Sequence, residues 1–349
     1  MSSVQPKFGS PRWLDGEAQS ASVMRGTVGT RNSMLTKDKE KGTSIAAVLP
    51  STHIISVDVE DYFMVEAFAS SVSLDSWGSR PSRVVMSTLR VLDLFDEYSV
   101  KGTFFFVGWV ADKFPSLVRE VHARGHELAC HSYWHRTVYS QTPDEFREDT
   151  RAAVRAIEDA AGVKVFGYRA PSWSITKDCL WALDVLAEEG FRYDSSIYPI
   201  HHDLYGVPGA RRFPYTHRLK DGHSLLEFPP ATVRLLGQNL PCAGGGYLRI
   251  FPLAYTHWVF RTFQEDYGES VVVYFHPWEL DPDQPRIREK LKSRLRHYTN
   301  LDGMKNRLEH LLQTYSFQPF CEVAGVGGGP ALQTVGEGEN CQGVARQCS

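Results

Sequence analysis

Short apolar strand-like runs alternate with helix-like segments over most of this 349-residue chain. The clearest strand pattern is the aromatic and β-branched run at 102–107. The clearest helix follows Thr142, where Pro143 occupies the first turn and Glu145 completes a capping box. Repeated strand and helix units with short connections favour a parallel sheet, either open or closed into a barrel. We therefore expect an α/β fold whose functional groups lie at the C-terminal ends of the strands.

The remaining elements follow from the same patterns of apolar periodicity and end signals. Ser82 is the expected N-cap of an early helix, and Pro115 is expected to begin another that ends at Gly125. Further strands are predicted at 53–57, 127–130, 165–168, 191–193 and 271–275, and a further helix at 176–189.

The composition is typical of a globular protein with a sizeable core. Hydrophobic residues make up 42% and charged residues 23%, and the formal net charge is -3. The chain therefore lacks the broad basic surface that nucleic-acid binding requires, and no nucleic-acid partner is expected. No run approaches the ~18 apolar residues of a membrane-spanning helix. We expect a cytoplasmic protein and leave open a peripheral position at the inner membrane face.

Two terminal regions differ from the rest of the chain. Residues 1–50 are rich in Ser, Thr, Gly and Lys without periodicity, which predicts a disordered arm. Residues 323–349 are rich in glycine and small polar residues, which predicts a disordered tail. The folded domain is expected over 51–322.

Two histidines, His131 and His135, directly follow the predicted strand at 127–130. If the segment after this strand is helical, the two Cβ atoms lie ~5–6 Å apart and both imidazoles can reach one metal ion. Two histidines and one carboxylate leave a coordination position open, as in catalytic zinc sites. The pattern predicts metal-assisted hydrolysis with a divalent cation, for which Zn²⁺ is the first choice.

The first predicted strand ends in an acidic cluster of Asp58, Glu60 and Asp61. Because side chains alternate along a strand, Asp58 and Glu60 project from one face, whereas Asp61 lies where the strand gives way to a loop. One carboxylate can bind metal while its neighbour stays free to act as a base. The third ligand is therefore either Glu60 or Asp61.

Two further strand ends carry reactive side chains. After the strand at 165–168, Arg169 can hold a carboxylate ionised, and Trp173 can form a wall for a sugar ring or acyl group. After the last strand, His276 has an ordinary pKa near neutrality and suits a general acid that protonates a leaving amine. Asp194 either orients that imidazole or caps a turn.

The order of these motifs resembles the polysaccharide deacetylase family, carbohydrate esterase family four. Its five motifs have counterparts between residues 54 and 278: an aspartate-containing motif, H-[ST]-x-x-H, R-x-P-x-[WY], a D-x-S-like motif and a strand ending in histidine. The resemblance implies a distorted (β/α)7-type barrel and removal of N-acetyl groups from a carbohydrate polymer or a lipid-linked oligosaccharide. The Asp-Val-Glu-Asp-Tyr-Phe motif and the segment 244–249 resemble a subfamily associated with exopolysaccharide and PEP-CTERM loci, whose own region is expected over about 230–322.

The resemblance also implies a role for each candidate residue: Asp58 as general base, His131 and His135 as metal ligands, Arg169 as the partner of Asp58, and His276 as general acid. Where the family commonly has two adjacent aspartates, Val59 fills the second place, so the third ligand stays between Glu60 and Asp61, with strand alternation favouring Glu60. A backbone N–H near Tyr198 is expected to stabilise the oxyanion. Substrate contacts are expected from Pro171, Trp173, Tyr198 and Trp278.

Two other functions are compatible with the motifs. One is hydrolysis of small or cyclic amides on the same barrel, which a profile of substrate size distinguishes from polymer deacetylation. The other is a non-catalytic carbohydrate-binding protein, which predicts that at least one ligand or base is missing.

Overall fold

The computed structural model describes residues 52–202, 205–219, 222–242 and 244–326. The predicted arm at 1–50 and most of the predicted tail at 323–349 lie outside these residues. The expected end of the folded domain, residue 322, falls within the last helix, so the described secondary structure continues slightly beyond it.

The described residues contain eleven strands and ten α-helices, numbered here in chain order. The strands are β1 Thr52–Val59, β2 Thr103–Phe106, β3 Glu127–Cys130, β4 Gly167–Tyr168, β5 Tyr193–Asp194, β6 Tyr215–Arg218, β7 Ser224–Glu227, β8 Thr232–Leu235, β9 Gln238–Pro241, β10 Val272–Phe275 and β11 Ser316–Gln318. The helices are α1 Val84–Glu97, α2 Gly108–Lys113, α3 Pro115–Ala123, α4 Pro143–Ala161, α5 Trp181–Glu188, α6 Gly245–Ile250, α7 Leu253–Thr262, α8 Leu291–Tyr298, α9 Met304–Thr314 and α10 Phe320–Ala324.

Nine strands form one sheet. Eight of them follow the order β10-β1-β2-β3-β4-β5-β7-β6, in which only β6 is antiparallel to its neighbour, and β11 is the ninth. β11 pairs with residues 52–54 of β1, and β2 pairs with residues 56–59 on the same edge of that strand. Among the described residues the strand pairing is not continuous between β6 and β10. However, Gly244 forms an isolated parallel bridge to Tyr274 of β10, so the chain after the β8–β9 hairpin returns to that edge. The expected α/β fold of the distorted-barrel kind is confirmed.

The two faces of the sheet bury different cores. The outward side chains of β1, Ile55, Val57 and Val59, join the main core beneath the helices. The inward side chain of Ile54 joins a smaller interior cluster, which Phe320 of α10 completes. Ser56 and Asp58 follow Ile54 on the inward face, so the interior becomes polar towards the C-terminal ends of the strands. This gradient places the reactive groups at one mouth of the barrel.

Helix α4 matches its prediction closely. The Thr142 hydroxyl accepts a hydrogen bond from the Glu145 backbone N–H, the Glu145 carboxylate accepts one from the Thr142 backbone N–H, and Gly162 ends the helix with φ of 71°. None of the described helices is long and apolar enough to cross a bilayer.

Two other helix predictions are corrected. Helix α1 begins at Val84 with Arg83 as N-cap, whereas the Ser82 hydroxyl donates to the carboxylate of Asp61. The helix expected over 176–189 is divided into a 3-10 turn at Lys177–Cys179 and the α-helix α5.

Candidate active site

His131 and His135 meet across a loop rather than on a helix. The helical connection expected between them is wrong, because Ser132 and His135 adopt left-handed backbone conformations with φ of 64° and 52°. Asp149 of α4 holds this loop, since its carboxylate accepts hydrogen bonds of 2.7 Å from the Ser132 hydroxyl and from the Tyr133 backbone N–H. The two imidazole rings still lie close, with centroids 5.1 Å apart.

Glu60 completes a buried group with the two histidines. One donor atom from each of Glu60, His131 and His135 lies within 4.8 Å of the others, and His135 Nε2 is 2.7 Å from Glu60 Oε2. His131 Nδ1 donates a hydrogen bond of 2.7 Å to the backbone carbonyl of Arg169, which leaves its Nε2 as the ligand atom. Two imidazole nitrogens and one carboxylate oxygen fit a divalent cation such as zinc.

The electrostatics of this group suit two of the three candidate ligands, Glu60 and His131, to a metal ion. Burial raises the pKa of Glu60, but the charges of His135 and His276 and the hydrogen bond from His135 outweigh burial and lower it to about 2. Burial lowers the pKa of His131 to about 4. Glu60 is therefore anionic and His131 neutral at physiological pH, which are the protonation states that a metal requires of its ligands.

Asp61, the other candidate for the third ligand, lies outside this group. Its carboxylate accepts hydrogen bonds from the Ser82 hydroxyl and from the backbone N–H groups of Tyr62, Arg83 and Val84. These N–H groups include the first ones of α1, so Asp61 stabilises the beginning of that helix. Glu60 is the acidic residue that the fold leaves for the metal.

Asp58 lies beside the group formed by Glu60, His131 and His135, and it contacts Arg169 as expected. Arg169 is fully buried, and its Nη1 donates to Asp58 Oδ1 at 2.6 Å and to the Ser56 hydroxyl at 2.8 Å. The guanidinium also stacks over the ring of Phe105, with its central carbon 4.1 Å from the ring centroid. The charge of the Asp58 carboxylate is thereby compensated without occupying both of its oxygens.

His276 faces Asp58 and Glu60 from the end of β10. Its Nε2 lies 3.9 Å from Asp58 Oδ2 and 3.6 Å from Glu60 Oε1, and its Nδ1 lies 2.8 Å from Glu279 Oε1. Burial lowers the pKa of His276, but the charges of Glu60, Glu279 and Asp58 and the hydrogen bond to Glu279 raise it to about 9. The side chain of His276 is therefore the imidazolium cation at neutral pH.

Glu279, rather than Asp194, is the carboxylate that orients His276. Pro277 begins a 3-10 turn that brings residue i+3 back to the imidazole, and the buried guanidinium of Arg249 donates to the other Glu279 oxygen. The sequence signal was a glutamate three residues after His276, with Pro277 between them at the first position of the turn. Asp194 instead accepts a hydrogen bond from the Ser196 hydroxyl and pairs with Glu227, its register partner on β7. The prediction that Asp194 orients His276 is not met.

These groups open into a cavity of about 350 Å³ at the mouth of the barrel. Of the expected substrate contacts, Trp173 and Trp278 line it, whereas Pro171 and Tyr198 are buried behind the lining. Trp278 also has a positioning role, because its indole N–H donates to Glu60 Oε1 at 3.0 Å. Sequence reasoning missed several lining residues contributed by later parts of the chain: Tyr205, Tyr247, Arg249, Lys292 and Arg296.

Comparison with known proteins adds two family matches and several relatives. Residues 81–193 match the family model "Polysaccharide deacetylase", and residues 195–325 match "Domain of unknown function (DUF3473)". The peptidoglycan deacetylase of Helicobacter pylori is 27% identical over 139 residues, which are 40% of this chain and 43% of that protein. The peptidoglycan-N-acetylglucosamine deacetylase of Bacillus cereus is 31% identical over 98 residues, which are 28% of this chain and 36% of that protein.

The matched region thus spans less than half the length of each of these relatives. In fold, the chain is similar to a Mycobacterium smegmatis protein assigned to the polysaccharide deacetylases, with a TM-score of 0.51 and 22% identity. That similarity covers 79% of this chain and 91% of the other. Residues 81–193 are therefore similar in sequence to polysaccharide deacetylases, and the chain shares the fold of the Mycobacterium smegmatis protein.

Proposed function

We propose that this protein is a metal-dependent hydrolase that removes N-acetyl groups from an amino-sugar polysaccharide or its lipid-linked precursor. The observation that carries the proposal is the meeting of three groups at one cavity: the metal-binding set of Glu60, His131 and His135, the adjacent carboxylate of Asp58, and the protonated imidazole of His276.

The candidate ligands supply the electrophilic part of the reaction. Glu60, His131 and His135 would hold a divalent cation, which would polarise a carbonyl group and make bound water more acidic. Because Nδ1 of His131 is engaged with a backbone carbonyl and Glu60 receives the indole N–H of Trp278, both ligands are pre-oriented before any ion arrives. The site therefore needs little rearrangement to bind metal.

Asp58 and His276 supply the proton transfers. Asp58 takes a proton from the attacking water, whose oxygen forms the new bond to the acetamide carbon. The carbon–nitrogen bond then breaks, His276 protonates the departing amine, and acetate is released. The roles of base and acid follow from the charges around each residue. Arg169 compensates the carboxylate of Asp58, whereas Asp58, Glu60 and Glu279 keep His276 protonated.

The walls of the cavity favour a sugar ring as the substrate. Trp173, Tyr205, Tyr247 and Tyr274 present aromatic surface to the same space as the reactive groups. Such surface packs against the apolar faces of pyranose rings, and the named relatives are deacetylases of peptidoglycan. We therefore assign N-acetylated amino sugars as the substrate class.

The test is acetate release from N-acetylglucosamine oligomers by the purified full chain, with and without a chelator. We expect activity to disappear on chelation, to return with added Zn²⁺, and to fall by at least ~10²-fold in Asp58→Asn. Asp159→Asn, which removes an exposed carboxylate on α4, is the matched control and should act like the wild type. Activity that survives both complete metal removal and Asp58→Asn contradicts the proposal.

The range of substrates tests the two other functions. Turnover of small cyclic amides without turnover of oligomers identifies an amide hydrolase. Oligomer binding without acetate release under all metal conditions identifies a carbohydrate-binding protein.

A further inference from the structure

Helix α8 lies beside the cavity, and two of its faces lie in different environments. Lys292 and Arg296 line the cavity mouth, and His297 is buried, with its ring stacked on Trp278 at a centroid distance of 4.0 Å. Leu291 and Leu295 lie one turn apart, on one face of the helix, and are 69% and 58% exposed. One face of α8 therefore contacts the site, while another presents two large aliphatic side chains to the outside.

The surroundings of these leucines are strongly basic. Glu289 is the single acidic residue between 286 and 296, and its carboxylate accepts hydrogen bonds from the hydroxyls of Ser70 and Ser71. The complete chain, by contrast, carries a net charge of -3. The exposed cations of this segment are Arg286, Arg288, Lys290, Lys292, Arg294 and Arg296.

Helix α6 extends the apolar surface. The guanidinium of Arg249 donates hydrogen bonds to the carbonyls of Arg296, His297 and Thr299, which ties α6 to the C-terminal end of α8. Ile250, the next residue on α6, is 48% exposed and also lines the cavity. The exposed aliphatic side chains therefore lie next to the entrance rather than on a remote part of the barrel.

We propose that α8 docks this protein onto an anionic lipid surface. Leu291 and Leu295 enter the boundary between lipid headgroups and acyl chains, and the flanking cations contact lipid phosphates, as in interfacial amphipathic helices. An acidic polysaccharide satisfies the cations but offers no apolar phase to the leucines. A second copy of the chain brings like charges together. The membrane is the occupant that satisfies both features.

The docking has a geometric consequence for the cavity. Because Lys292 and Arg296 line its mouth on the helix that carries the two leucines, docking brings that mouth to the membrane surface. Docking itself is independent of the reaction proposed above. A substrate held at the membrane by a lipid tail would then reach the site without leaving the surface.

The test is co-sedimentation of the full chain with phosphatidylcholine vesicles that contain or lack phosphatidylglycerol. We expect binding that requires phosphatidylglycerol and weakens with salt. The double variant Leu291→Ser/Leu295→Ser should bind roughly tenfold more weakly or worse, and so should Arg288→Glu/Arg294→Glu. None of these four residues lines the cavity, so acetate release from soluble oligomers should stay at the wild-type rate in both variants.

Two matched controls separate this helix from general surface effects. Val323→Ser removes an exposed aliphatic side chain from α10, and Arg155→Glu/Lys164→Glu reverses two charges on and after α4; both should bind vesicles like the wild type. Equal binding to vesicles with and without phosphatidylglycerol overturns the proposal. The proposal is also overturned if Leu291→Ser/Leu295→Ser binds vesicles like the wild type. It is overturned as well if this variant loses self-association while it keeps vesicle binding.

Discussion

Two pairs of carboxylates differ in their ionisation although both pairs are buried from solvent. Glu60 and Glu279, at the cavity, face histidines and Arg249, and the pKa of each falls to about 2 against the opposing effect of burial. Asp194 and Glu227 face each other between β5 and β7, where burial raises the pKa of Asp194 to about 6 and that of Glu227 well above its usual range. The difference shows that neighbouring cations, rather than depth, decide which buried acids are ionised.

The two pairs therefore have different functions. The cavity acids are anionic at neutral pH, as a metal ligand and an imidazole partner must be. The second pair retains a proton and organises the loop after β5, where Glu227 accepts the Ile197 backbone N–H and the Ser196 hydroxyl links Asp194 to the Ala170 backbone N–H. This loop is hydrogen-bonded to the segment that carries Arg169, so the pair with its one retained proton supports the active site.

The largest effect is expected from removing the cation that compensates Asp58. Arg169→Met leaves a buried carboxylate without its charged partner and should lower the free energy of unfolding by about 3–5 kcal/mol. Urea unfolding measures this loss. The double variant Arg169→Met/Asp58→Asn should recover most of it, because both charges are then absent. A double variant as unstable as the single one contradicts this account.

The second prediction separates Glu279 from Asp194 as the partner of His276. Glu279→Gln removes one of the charges that raise the pKa of His276, so the imidazole loses its proton at a lower pH. Since a general acid acts only when protonated, the alkaline limb of kcat/KM should move to lower pH, with a rate loss of roughly 10–100-fold. The exposed Glu148→Gln is the control. An unchanged pH profile in Glu279→Gln would show that another group holds the imidazole.

The third prediction tests the shared proton of the second pair. Because the pKa of Asp194 is raised from 3.8 to about 6, the folded state binds more protons than the unfolded state between these values. The stabilisation is complete below the ordinary pKa and is lost as the pH rises through about 6. Burial and the charge of Asp194 also raise the pKa of Glu227 well above its usual range, so wild-type Glu227 adds to the loss of stability with rising pH. Glu227→Gln removes this group, so the unfolding free energy of the variant should fall less between pH 5 and pH 8, by roughly 1–3 kcal/mol.

Urea unfolding of both proteins at these two pH values measures the difference. Glu148→Gln, in an exposed position on α4, should keep the pH dependence of the wild type. If the unfolding free energy of Glu227→Gln changes with pH as that of the wild type does, the folded pair does not retain a proton that the unfolded chain loses.

The smallest effect is expected from one hydroxyl. Ser196→Ala removes the hydrogen bond to Asp194 and leaves the Ala170 backbone N–H without its acceptor, which should cost about 1 kcal/mol of unfolding free energy. The exposed Ser79→Ala is the control and should change stability by less than ~0.5 kcal/mol. A neutral Ser196→Ala would show that the loop does not depend on this link.

Local sequence signals predicted those features that depend on neighbouring residues in the chain. The capping box of α4, the strand β3 before His131, and the projection of Asp58 and Glu60 from one face of β1 all follow from propensity or from strand alternation. Placing His131 and His276 at strand ends also predicted that they would share one mouth of the barrel, because parallel strands end on the same side.

The errors concern partners that are distant in sequence. Strand alternation favoured Glu60 over Asp61 as the third ligand, but it could not show that Asp61 contacts residues more than 20 positions away at the beginning of α1. The loop at 131–135 takes its left-handed turns because Asp149 binds it from another element. Competition among polar partners is settled by packing, which a local pattern does not contain.

The sequence by itself determined the alternation of strands and helices, the strand ends that carry chemistry, and the residue types that can bind a metal, since these depend on periodicity and on side-chain chemistry. The tertiary structure alone decided that Glu60 joins His131 and His135, that Asp61 caps α1, and that α8 borders the cavity. These choices depend on distances between remote segments and on the cations near each buried acid, and both arise only when the strands assemble around the polar mouth of the sheet.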